Sequence, residues 1–85
     1  MHVTIIGSHL CPDTLYAINV LAARKVNITF QNLSASLADL KAYLALRESS
    51  SLFDGPKANG TLGIPCFILE DGFTTLELED VLARL

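Results

Sequence analysis

Cys11-Pro12-Asp13-Thr14, preceded by the apolar run Val3-Thr4-Ile5-Ile6 and followed by a helical pattern, decides the fold of this chain. The run is short, β-branched and closed by Gly7, which reads as a buried strand. Pro12 suits the first position of a helix, where its missing N–H would have had no partner in any case. Cys11 then becomes the N-cap and faces the unpaired N–H groups of the helix start. A thiolate there accepts those hydrogen bonds and sits at the positive end of the helix dipole. Both effects favour the thiolate, which is the nucleophilic form of cysteine. Asp13 opposes them by placing negative charge in the same turn. The stretch therefore predicts a strand, a helix and sulfur chemistry at their junction.

Leu15, Ile18, Leu21 and Ala22 form one face of a helix over 12–25. Residues 26–31 (Val-Asn-Ile-Thr-Phe-Gln) alternate strictly and predict a half-buried strand near the sheet edge. Ser34 or Ser36 caps a second helix, with Asp39 favourable in its first turn and Arg47 at its basic end. Leu37, Leu40 and Leu44, with Tyr43 or Leu46, are its expected inward face. Ser49-Ser50-Ser51 is a break, followed by a helical turn over 52–58 that Asp54-Gly55-Pro56 and Asn59-Gly60 weaken.

Cys66-Phe67-Ile68-Leu69 and Phe73-Thr74-Thr75-Leu76 flank Asp71-Gly72, the dipeptide favoured in type I′ hairpin turns. Leu78, Val81, Leu82 and Leu85 make a final helical stripe, with Thr74-x-x-Glu77 as its capping box. The order is β-α-β-α-β-β-α. A right-handed crossover joins the first two strands in parallel, and the last two are an antiparallel hairpin. The expected fold is α/β: a four-stranded mixed sheet with three main helices, in a single domain over 1–85.

At 51% hydrophobic and 18% charged residues, the chain has the apolar content for a core despite its small size. A net charge of -3 with scattered basic residues excludes the electrostatic footprint of a nucleic-acid binder. No apolar run approaches the ~20 residues of a membrane span, and no series of basic, apolar and small residues marks a signal peptide. These features predict a cytoplasmic protein with no membrane or nucleic-acid partner. Two cysteines and two histidines, His2 and His9, lack the paired spacing of a structural zinc site, so no metal is expected.

With Cys-Pro-x-x opening the first helix and Gly63-Ile64-Pro65 opening the third strand, this order resembles the glutaredoxins of the thioredoxin-fold superfamily over nearly the whole chain. The resemblance implies a thioredoxin-like, glutaredoxin-type fold with a cis Ile64–Pro65 bond beside the catalytic cysteine. It implies thiol–disulfide oxidoreductase activity on glutathione mixed disulfides or protein disulfides. Glutathione would be a co-substrate rather than a permanently bound cofactor, and the protein a monomer. It implies Cys11, Pro12 and Thr14 as the catalytic motif. Substrate would be bound by the Ile64 backbone, by Pro65, and by Glu79 and Asp80 as the acidic pair before the last helix.

The chain departs from the family at three places. Thr14 stands where the second cysteine usually does, which leaves a monothiol cycle through Cys11, with the Thr14 hydroxyl a candidate donor to its thiolate. Ser8 replaces a lysine found three residues before the cysteine. The Gly-Gly before the acidic pair is absent, and Glu77 adds negative charge near an anionic tripeptide.

Two further readings stand beside the enzymatic one. Cys11 with glutathione as co-ligand would bind an iron–sulfur cluster between two subunits, a role linked to Cys-Gly-Phe-Ser rather than to this motif. A redox-silent protein would retain the fold to bind a partner. Cys66 is a second candidate thiol for Cys11, within reach only if the Cα atoms lie within about 7 Å. Its apolar neighbours favour core packing instead. His9, two residues before Cys11, reads as a solvated loop histidine in preference to a thiolate partner.

Overall fold

β1 (His2–Gly7) forms the middle of the sheet in the computed structural model, which describes residues 1–85. It pairs in parallel with β2 (Asn27–Asn32) and antiparallel with β3 (Cys66–Leu69), and β3 pairs antiparallel with β4 (Thr74–Thr75). The strand order β2-β1-β3-β4 puts the alternating strand at an edge, as its pattern predicts. The fold is α/β with a four-stranded mixed sheet in thioredoxin-like order. Its helices are α1 (Pro12–Ala23), α2 (Leu37–Ser49), α3 (Asp54–Asn59) and α4 (Leu78–Leu82), with a 3-10 turn at Ser51–Phe53. The 3-10 turn and α3 occupy the weak helical segment.

Strand alternation divides the core in two. Val3, Ile5, Phe67 and Leu69 pack with Ala17 and Leu21 of α1 and Val81 of α4. Ile6 and Cys66, on the opposite face, pack with Leu33, Tyr43 of α2 and Phe53 of the 3-10 turn.

The helix rotations differ from those expected. In α1 the buried residues are Thr14, Ala17 and Leu21, while Leu15 and Ala22 are exposed. The first turn of α1 lies so close to Gly7 that a Cβ there would fall 2.6 Å from Thr14 Cγ2. Only small residues fit that crossing, so Thr14 and Ala17 face the sheet in place of Leu15. In α2 only Tyr43 is buried; Leu40 and Leu46 are partly covered, but Leu37 and Leu44 are exposed. The Tyr43 hydroxyl shares its proton between the carbonyls of Leu62 (2.7 Å) and Gly63 (2.8 Å). Its ring meets Phe53 edge-on at 5.6 Å. This aromatic anchor fixes the rotation of α2.

Ser36 rather than Ser34 caps α2, accepting from the Asp39 N–H at 3.1 Å. α1 ends at Ala23, short of the predicted Lys25, because Lys25 adopts the left-handed conformation (φ 59°). The Lys25 N–H bonds the Ala22 carbonyl and the Val26 N–H the Leu21 carbonyl, closing a Schellman motif with lysine where glycine is usual. Lys25→Gly is therefore expected to stabilise the protein by about 0.5–1 kcal/mol, read as a higher urea midpoint.

The hairpin turn also differs. Gly72 alone has positive φ, the Gly72 N–H bonds the Leu69 carbonyl at 2.9 Å, and the Phe73 N–H bonds Asp71 Oδ1 at 3.0 Å. The connection is a three-residue loop closed by a left-handed glycine, not a type I′ turn. The predicted capping box is displaced as well. Thr75, not Thr74, accepts from the Glu77 N–H at 3.1 Å and donates to Asp80 at 2.6 Å.

Candidate functional site

Cys11 is the N-cap of α1, in extended conformation (φ −98°, ψ 116°), with Pro12 in the first turn. Its carbonyl accepts the Leu15 N–H at 3.1 Å and its own N–H donates to the Ser8 carbonyl at 3.0 Å. Its side chain is partly exposed and makes no cap hydrogen bond. Pro12 offers no N–H, and the N–H groups of Asp13 and Thr14 have no protein acceptor. Free donors and a free sulfur thus share one helix start.

The loop before Cys11 is tied to the end of β2. The Ser8 hydroxyl bonds that of Ser34 and accepts the Leu10 N–H at 3.0 Å. Asn32 accepts the His9 N–H at 3.3 Å and donates to His9 Nδ1 at 2.9 Å. The ring of His9 is exposed but engaged with Asn32 rather than with Cys11.

Thr14 sits elsewhere than its expected role requires. It is fully buried beneath Gly7, and its hydroxyl accepts the Ser8 N–H at 3.4 Å; no hydrogen bond joins it to Cys11. Its place in the site is to seat α1 against β1, which positions the helix start.

A groove of about 310 Å³ opens along the first turns of α1, with Asp13, and not Cys11 itself, among its lining residues. Its apolar floor is Ala17, Phe67, Ile64 and Pro65, and the Ile64–Pro65 bond is cis. Asp13 and Tyr16 of α1 form one wall; Leu76, Glu77, Leu78 and Glu79 form the other. The groove brings together Ile64, Pro65 and Glu79 as anticipated but not Asp80, whose carboxylate turns to the Thr75 hydroxyl. Tyr16 was not anticipated as a site residue. Its signal is the i, i+3, i+4 spacing of Asp13, Tyr16 and Ala17, which places all three on one helix face.

Cys66 stands apart. It pairs with Ile6 across β1 and β3, is fully buried, and packs in the α2-side cluster. Burial pushes its thiol from 9.0 up to about 11, and burial, with Cys66 as a secondary cause, also raises the Tyr43 hydroxyl well above 10.0. Cys66 is a core residue in this structure, not a second thiol displayed to substrate.

The sign of the pH effect follows. Above about pH 9 the unfolded chain loses the Cys66 proton while the folded chain keeps it, so stability is full below pH 9 and falls as pH rises toward 11. The urea midpoint is expected to drop over this window in the native chain and to drop less in Cys66→Ala. An identical drop in both would contradict the assignment.

No helix is long and apolar enough to cross a membrane. No family model and no solved structure matches the chain. Over 68 residues it is 41% identical to an uncharacterized protein of Haemophilus influenzae, an alignment spanning 80% of this chain and 79% of the relative. This chain and the Haemophilus influenzae protein belong to one family.

Proposed function

We propose that this protein is a glutaredoxin-like thiol–disulfide oxidoreductase working through one nucleophile, Cys11. The observation that supports the reading is the partly exposed Cys11 at the N-cap of a 12-residue helix, where the N–H groups of Asp13 and Thr14 have no protein acceptor.

The Cys11 thiolate attacks one sulfur of a disulfide R–S–S–R′. A Cys11–S–S–R bond forms, and R′S⁻ leaves with the electron pair of the broken bond. A second thiol, R″SH, then attacks the R sulfur after losing its proton to solvent. R–S–S–R″ forms and Cys11 departs as thiolate. The net exchange is R–S–S–R′ plus R″SH giving R′SH plus R–S–S–R″. Thr14 at the fourth motif position and Cys66 in the core leave no internal resolving thiol, which supports the one-cysteine cycle. The groove floored by Ile64 and Pro65 receives the R group.

Glutathione does not suit that groove. It carries two carboxylates against one ammonium, whereas Asp13, Glu77 and Glu79 line the groove and no Lys, Arg or His does. A protein or peptide disulfide is the better substrate. The test is exchange between hydroxyethyl disulfide and free cysteine, neither of which carries net charge. A rate above the uncatalysed one is expected; the uncatalysed rate itself would overturn the reading.

A further inference from the structure

The groove along the first turns of α1, lined by Asp13 two residues after Cys11, combines an apolar floor, an exposed aromatic ring and carboxylates of one sign. Asp13 rises from α1 on one wall, and Glu77 and Glu79 stand on the other. None of the three is in an ion pair; the one salt bridge of the molecule joins Arg84 to Asp71. Arg47 donates to the Thr61 carbonyl and Lys57 to the Glu48 carbonyl, and neither lines the groove. No Lys, Arg or His lines the groove to offset these carboxylates, and low-dielectric walls concentrate such a field. Tyr16, 65% exposed, lines the same groove and presents a ring face to which an ammonium or guanidinium is attracted. Leu10, 73% exposed immediately before Cys11, adds apolar surface on the approach to the sulfur.

We propose that the substrate of Cys11 is a basic cysteine peptide: a protein segment whose disulfide-bonded cysteine is flanked by Lys or Arg. The inference rests on Cys11 being the exchange nucleophile. The substrate cysteine approaches the Cys11 sulfur, and its cationic neighbours lie against Asp13, Glu77 and Glu79 with an aliphatic stem or backbone over Ile64 and Pro65. The Cys11 thiolate attacks the peptide sulfur, the Cys11–S–S–peptide bond forms, and the former partner thiol leaves with the electron pair.

The test uses two peptides of equal length, each with one cysteine in mixed disulfide with mercaptoethanol. One carries lysines beside the cysteine and the other glutamates. Adduct formation on Cys11 is followed by acid quench and mass spectrometry, and the rate ratio is normalised to that for free cysteine as attacking thiol. At low salt the lysine peptide is expected to react roughly tenfold faster or more. The ratio should shrink as the Debye length falls from ~10 Å at 0.1 M to ~3 Å at 1 M salt. It should also collapse in the double variant Glu77→Gln, Glu79→Gln, and persist in Glu48→Gln, Asp54→Asn, which removes equal charge outside the groove.

Equal rates, preference for the glutamate peptide, or an equal collapse in both double variants would overturn the inference and leave Cys11 as nucleophile. No adduct from either peptide or from hydroxyethyl disulfide would overturn the reading of Cys11 itself, and the inference with it.

Discussion

Cys11→Ser is expected to return disulfide exchange to the uncatalysed rate while leaving the fold intact. A serine hydroxyl is not ionised near neutral pH and cannot form the Cys11–S–S–R bond, so both halves of the exchange are lost together. The structure makes this a clean experiment. The Cys11 sulfur has no hydrogen bond to lose, and its position is an N-cap, where serine is among the preferred residues. The variant should match or exceed the native chain in its urea midpoint. Loss of exchange without loss of stability separates chemistry from folding. Residual exchange well above background would mean that another group carries the reaction.

The second large effect is on stability. Phe53→Ala is expected to cost about 3–5 kcal/mol, the range for removing a fully buried aromatic ring. Phe53 is completely buried in the cluster that joins Tyr43, Ile6, Leu33 and Cys66. Domains of this kind have about 5–15 kcal/mol in total, and a short chain lies toward the lower end. The substitution therefore brings the protein near its unfolding threshold. It also reaches the site. Gly63, at φ 79°, lies so close to the ring that a Cβ would fall 3.0 Å from Phe53 Cδ1. The Tyr43 ring that Phe53 supports holds the carbonyls of Leu62 and Gly63. Removing Phe53 loosens the segment that carries Ile64 and Pro65, so exchange should slow along with the fall in stability. A stability loss below about 1 kcal/mol would show that the ring is not the support described here.

Much of this architecture is legible in the sequence because its signals are local. Pro12 after Cys11 marks a helix start without reference to the rest of the molecule, and the N-cap falls where that signal puts it. Ser36 with Asp39 marks another, while the alternation of Val26 to Gln31 marks an edge strand. The resemblance carried by Gly63-Ile64-Pro65 implies a cis bond, and Ile64–Pro65 is cis.

Illegible features depend on what an element meets. Leu15, Leu37 and Leu44 fit an inward stripe by spacing alone, yet Thr14 against Gly7 and Tyr43 against the Leu62 and Gly63 carbonyls rotate their helices away from it. Thr14 carries a hydroxyl where the motif's second cysteine usually stands and so is a candidate donor to Cys11, but the close crossing at Gly7 buries it. Glu79 and Asp80 are adjacent in sequence, and the Thr75 hydroxyl draws one of them away from the groove. Tyr16 lies outside the apolar stripe of its helix and becomes a site residue only through the opposite wall of the groove.

Trapping the covalent intermediate is the most direct measurement of Cys11 chemistry. The folded protein is treated with hydroxyethyl disulfide, quenched in acid, weighed intact and mapped by peptide. One mixed disulfide on the peptide that contains Cys11 is expected, with Cys66 unmodified until denaturant is added. A folded protein that carries no adduct at Cys11, or that is modified at Cys66 first, would contradict the assignment of Cys11 as the nucleophile.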